Sequence, residues 1–153
     1  MKAVFSAIAV LVLSGRCATV PSAAPLLIRD QRINWCGPHW KSSFTRESVT
    51  RTVEDTCIKP GRYESHFIPS KKQWADLRST LVTSRFFELP TEIRIPPGID
   101  ESIVVGTEYP VSCIEASKHE VCGGSYALRR TAEGARFLQV WAALSAIAPE
   151  PKH

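Results

Sequence analysis

The chain has no apolar run long enough to cross a bilayer as a permanent helix. Its longest, Ala3 to Leu13, is 11 residues with only Ser6 polar, against the ~20 that a spanning helix needs. It has no surplus of one charge: beyond residue 24 there are 17 basic and 15 acidic residues. The concentrated basic face of a nucleic-acid binder is therefore not expected. It has no Walker loop to cradle phosphates and no Gly-x-Ser-x-Gly elbow to expose a serine nucleophile. His39, His66, His119 and His153 fall in no HxH, HExxH or CxxC spacing, so no zinc site is legible. The carboxylate pairs Glu54-Asp55 and Asp100-Glu101 are adjacent in sequence. Neighbours on a strand face opposite ways, so neither makes an acid/base pair unaided. These absences predict a protein with no catalytic machinery, metal or cofactor of its own.

What is present starts at the N-terminus. Lys2 gives a positive tip, Ala3 to Leu13 an apolar core, and the residues up to Ala24 are small and polar-neutral apart from Arg16. This is the layout of an export signal. Residues 1–24 are expected to be signal and short tether, leaving a periplasmic or secreted protein without a transmembrane span. Cleavage after Cys17, Ser22 or Ala24 fits, although Pro25 hinders the last. Leu13-Ser14-Gly15-Arg16-Cys17 is also a lipoprotein box with one extra residue, Arg16. Cys17 is thus a candidate for lipidation and a lipid anchor.

The other four cysteines, Cys36, Cys57, Cys113 and Cys122, form an even set in a small exported domain, which reads as two disulfides. Cys113 and Cys122 flank Ser117-Lys118 symmetrically, so a hairpin turning there sets them opposite each other. Cys36 and Cys57 flank a second hairpin centred near Glu47-Ser48. The expected pairing is Cys36–Cys57 with Cys113–Cys122.

Residues 25–148 read as one α+β domain, and 149–153 as a disordered tail. Trp40, Ser42 and Phe44 alternate onto one face, Val49 to Val53 continues, and Tyr63, Ser65 and Phe67 share a side. Lys59-Pro60-Gly61 breaks the chain between them. Ser70 and Gln73 form a capping box for a helix carrying Trp74, Leu77 and Leu81, which ends at Phe86-Phe87-Glu88-Leu89-Pro90. Thr91 to Gly98 is expected to be irregular. Ile103 to Val105, Val111 to Glu115 and Val121 to Leu128 read as strands, with a bulge at Gly123-Gly124. Thr131 caps a last helix striped by Phe137, Trp141 and Leu144. Leu81, Phe86, Phe87, Phe137, Trp141 and Leu144 are expected in the core. The predicted fold is an antiparallel sheet covered by two helices, in the order strands, helix, strands, helix.

Trp35-Cys36-Gly37-Pro38-His39 resembles the Trp-Cys-Gly-Pro-Cys site of thioredoxins. There the first Cys is activated at a helix N-terminus and the second resolves the mixed disulfide. Here His39 stands in the second position, and the charged stretch Arg29 to Arg32 stands where a buried strand is required. Trp35, His39 and Trp40 are a candidate binding surface, since aromatic side chains dominate interface energetics; if buried, the tryptophans are core instead.

The order of features resembles a bacterial envelope domain of unknown function. In that domain a Cys-Phe-Gly-x-Cys-Pro-like turn is followed by a meander, a helix ending in Phe-Phe-x-Leu, further strands and a C-terminal helix. Cys36-Gly37-Pro38-His39-Trp40, Phe86-Phe87-Glu88-Leu89 and the Phe137–Ile147 segment match its parts. The turn's first Cys is missing here. The resemblance implies architecture and location only. The expected function is a non-catalytic binding or structural role in the envelope, with an unknown protein or envelope component as partner. One alternative is a degenerate thioredoxin-like redox protein using Cys36. Another is a small secreted enzyme inhibitor presenting Pro96-Pro97-Gly98.

Overall fold

Strict alternation between inward apolar and outward polar residues builds the sheet. In the computed structural model, which describes residues 26–55, 57, 60–99 and 109–151, Pro38, Trp40, Ser42 and Phe44 are buried, as are Val49, Arg51 and Val53 on the next strand. The strands are β1 (Ile28–Ile33), β2 (Pro38–Phe44), β3 (Val49–Asp55), β4 (Gly61–Phe67), β5 (Glu92–Ile93), β6 (Val111–Ala116) and β7 (His119–Gly124). Helix α1 (Lys71–Thr83) and a 3-10 turn (Phe86–Glu88) follow β4; α2 (Ser125–Arg130) and α3 (Ala132–Ile147) follow β7. The fold is α+β. The expected signal, Cys17 and the Ile103–Val105 strand lie outside the described residues.

The strands form one sheet in the order β4-β3-β2-β1-β6-β7-β5. The β2–β3 turn falls at Arg46-Glu47, and Thr45 N donates to Ser48 O at 2.9 Å. The β6–β7 turn is Ser117-Lys118, both in the left-handed region at φ 51° and 66°, which suits the twist of a tight hairpin.

Four expectations are corrected. The sheet is mixed, because Glu92–Ile93 lies parallel to β7 within the stretch expected to be irregular. Residues 125–128 are helical rather than the end of a strand, so there are three helices among the described residues. Gly124 is the N-cap of α2, where the strand stops. Residues 149–151 are not wholly a loose tail either: Pro149 and Glu150 are tied to the body by Arg51 and Arg32.

Helices α1 and α3 run antiparallel on one side of the sheet. The capping box forms as expected: Ser70 Oγ accepts from Gln73 N at 3.1 Å and Gln73 Oε1 accepts from Ser70 N at 2.9 Å. Gln73 also donates to Ala146 O at 2.7 Å, and Arg136 Nε donates to Ser84 O at 2.7 Å, pinning both ends of the helix pair. Between the helices and the sheet, Leu77, Leu81, Phe137 and Leu144 meet Ile28, Phe44, Val49 and Ile114, all fully buried. Phe86 is fully buried beneath His119, with ring centroids 5.6 Å apart, whereas Phe87 is only half-buried.

One polar cluster lies inside this apolar layer. Arg51 Nε donates to Ser42 Oγ at 2.7 Å and Nη2 to Asp30 Oδ2 at 3.2 Å. Its Nη1 donates to Ala148 O at 2.9 Å and Pro149 O at 2.7 Å. The last carbonyls of a helix have no intrahelical partner, and a cation there also opposes the negative end of the helix dipole. Arg51 thereby joins the C-terminal end of α3 to the middle of the sheet. The Trp40 ring lies 5.5 Å from its guanidinium carbon.

Candidate binding surface at one end and one face of the sheet

The antiparallel register brings three chain segments to the same end of the sheet. β1 ends at Ile33 where β2 begins at Pro38, β3 ends at Asp55 opposite Pro38, and Ile33 is paired with Val111 of β6. The loop 34–37, the end of β3 with Cys57, and Tyr109-Pro110 therefore cluster. Gly37 takes φ 101° in the first loop, a conformation open to glycine and costly for most other residues. The Asn34 side chain donates to Pro38 O, and Asn34 N donates to His39 Nδ1 at 3.4 Å.

On this framework Trp35 is 82% exposed and meets Tyr109 edge-on, ring centroids 5.9 Å apart. The Tyr109-Pro110 peptide bond is cis. His39 is half-buried on the open face. Trp40 is not part of this surface: it is 4% exposed, lies in phase with Ser42 and Phe44, and packs 6.4 Å from Trp141. Of the expected trio, Trp35 and His39 reach solvent and Trp40 is core.

The β2–β3 register ends at the pair Pro38 and Asp55, and just beyond it the Cys36 and Cys57 side chains meet as thiols rather than as the expected disulfide. The Cys36 thiol hydrogen-bonds to that of Cys57, and this contact pushes it above its ordinary pKa. Cys57 N donates to Asp55 Oδ1 at 2.9 Å. Cys36 sits between two antiparallel strands, so it lacks the helix N-terminus that lowers a thiol pKa in thioredoxins. Cys113 and Cys122 are disulfide-bonded, directly opposed on β6 and β7 with Cα atoms 4.1 Å apart. Glu120 lies with these two sulfurs inside a 4.8 Å cluster, but a disulfide supplies no thiolate for a metal.

The outward phase of the strands gives a polar face. A concavity of about 280 Å³ is lined by Gln31, His39, Lys41, Thr52, Glu54 and Arg62, among others. A second, also about 280 Å³, extends from it past Arg29, Thr50, Glu115 and Glu120 to Cys113. Gln31, Lys41 and Thr52 line both, so the two form one shallow groove across β1, β2 and β3. Sequence reasoning missed this groove, and it singled out Tyr109-Pro110 only for its likeness to the cis-proline segment of thioredoxins, not as a partner of Trp35. The available signal was the outward half of each alternating strand, which was read only as solvated surface.

No protein-family model matches the chain, and no curated protein shows a significant match. Among the described residues no helix is long and apolar enough to cross a membrane. The Cys113–Cys122 bond is compatible with an extracytoplasmic location.

Proposed function

We propose that the chain is an exported binding module of the bacterial cell envelope, presenting Trp35 and Tyr109 to its partner and holding two structural disulfides. The single observation that carries this reading is the exposed Trp35 ring, braced by Tyr109 at 5.9 Å on a rigid sheet end. Aromatic anchors of this kind dominate interface energies, and here two exposed rings stand together rather than singly. The export-signal layout of residues 1–24, with Cys17 as the alternative lipid anchor, supports a location in the envelope or outside it. The resemblance to the bacterial envelope domain, with strands, a helix, further strands and a closing helix, supports the same location.

The opposed positions of Cys36 and Cys57 support a second disulfide that closes the β2–β3 hairpin beyond its last pair. The same contact also favours the redox alternative, because Cys57 supplies the second thiol that His39 cannot. Cys36 sits in the loop between β1 and β2, without the helix N-terminus that activates a thioredoxin thiol, which supports the structural role.

Binding of the purified chain to isolated envelope material tests the proposal. Trp35→Ala should weaken it at least tenfold without changing thermal stability, since Trp35 is outside the core. Equal binding by wild type and variant would remove Trp35 from the function.

A further inference from the structure

Resting on the binding reading above, we infer that the open face of the sheet takes an anionic polysaccharide, a chain of carboxylate-bearing sugars, with Trp35 and Tyr109 at one end of the groove. The shape comes first. Two shallow concavities of about 280 Å³ each, joined through Gln31, Lys41 and Thr52, make an elongated and open track. A small molecule takes a site that encloses most of its surface; an open track suits a chain that lies along it.

The lining chemistry comes second. Neighbouring strands are ~4.8 Å apart, so Gln31, Lys41 and Thr52, paired across β1, β2 and β3, form a row of donors and acceptors. Such a row matches ligand hydroxyls. Trp35 adds a flat apolar surface beside this polar one, two residues beyond Ile33, which lines the groove. An apolar ring next to hydrogen-bonding groups fits a sugar, which has an apolar C–H face and polar edges.

Charge decides the sign of the ligand. Arg29 is neutralised by Glu115 at 3.0 Å, and His66 lies 3.0 Å from Glu64. Lys41 and Arg62 form no hydrogen bond or ion pair among the described residues, and Glu54 is the one acid in their part of the groove. That part is left positive, ready for widely spaced carboxylates. A nucleic acid fits worse. Its charges are dense, about one per 1.7 Å of duplex, and, with Arg32 held by Glu150, this part of the groove offers only Lys41 and Arg62 to meet them.

Titration of the purified chain with polygalacturonate, followed by tryptophan fluorescence and calorimetry, tests this. Polygalacturonate should bind and perturb Trp35, and binding should weaken as salt rises, because exposed charges are screened. Trp35→Ala and the double variant Lys41→Ala/Arg62→Ala should each lose at least tenfold in affinity at unchanged thermal stability. Dextran, which is neutral, should bind at least tenfold more weakly. Absence of polygalacturonate binding overturns the inference, as does an affinity untouched by the Lys41/Arg62 change. Equal binding of poly-L-glutamate overturns it in favour of an acidic peptide. Trp35-dependent binding to envelope material without polygalacturonate binding sinks the polysaccharide alone; loss of both sinks the binding module as well.

Discussion

Arg51 and Asp30 form an ion pair in which both side chains are 2% exposed, 3.2 Å apart in the layer between sheet and helices. Removing two charges from water costs several kcal/mol per ion, so such a pair is not by itself a source of stability. What distinguishes this one is the number of other groups that Arg51 satisfies: Ser42, Ala148 and Pro149. Asp30 Oδ1, by contrast, has no hydrogen-bond partner among the described residues.

Breaking the pair from one side should therefore be costly and breaking it from both sides cheap. Arg51→Ala should destabilise by ~3–5 kcal/mol, the range for leaving a buried charge alone. Asp30→Leu combined with Arg51→Met should recover most of that loss. Urea unfolding of the three chains decides it; a double variant as unstable as Arg51→Ala would show that the capped carbonyls, not the charges, matter most.

Burial holds the Asp30 carboxyl above the ordinary carboxylate range, although Ser42 and Arg51 pull it down. Between the ordinary and the raised value the folded chain binds more protons than the unfolded one. The Asp30 contribution to stability is thus complete at the acid side of that window and is lost as pH rises through the folded-state value. Asp30→Asn should abolish this part of the pH dependence. A wild-type and variant pair whose unfolding free energies run parallel through the acid range would contradict the assignment.

Gly134 in the first turn of α3 is a place where glycine is required by contact. A Cβ there would lie 2.2 Å from Leu128 O and 2.5 Å from Leu128 Cα. Glycine to alanine in a helix normally gains up to ~1 kcal/mol. Here Gly134→Ala should instead lower the melting temperature, because the backbone joining α2 to α3 must shift. Calorimetry showing an unchanged or higher melting point would mean that the junction yields easily.

Trp141 is 8% exposed, stacks on Phe137 at 5.9 Å and donates from Nε1 to Glu150 at 2.8 Å. Trp141→Ala should cost ~3–5 kcal/mol, the usual range for emptying a large aromatic site. A loss below ~1 kcal/mol on chemical denaturation would place the ring outside the core.

Peptide mapping under non-reducing conditions checks the cysteines. The expected products are Cys113–Cys122 and Cys36–Cys57 links, with no reaction of Cys36 toward iodoacetamide near neutral pH. Rapid alkylation of Cys36 would instead promote the redox reading.

Much of the sheet was legible because it alternates. The phase of Trp40, Ser42 and Phe44, the turn symmetric about Ser117-Lys118 and the Ser70/Gln73 box each follow from a local rule, and the structure contains all three. What escaped was non-local or two-faced. The pairing of Glu92–Ile93 with β7 spans about 30 residues and leaves no periodicity in a two-residue strand. Ser125 to Leu128 continues an apolar run after Gly124, and a short apolar run does not distinguish strand from helix. Arg51 sits at an inward position among valines and threonines, where one charged residue looks like a register error until Asp30 and the end of α3 are in place. Trp35 and Trp40 are five residues apart and similar in sequence context. Only the β2 phase separates the solvent-facing one from the core one.

The partners of Arg51 also set an order of events. Its bonds to Ala148 and Pro149 span 97 and 98 residues, so they cannot exist until nearly the whole chain has been synthesised. The Arg51 guanidinium in the β1–β2–β3 meander lacks two acceptors until residues 148 and 149 emerge. Closing the layer before then would bury an unsatisfied cation. Tertiary closure around Arg51 therefore waits until residues 148 and 149 are in place.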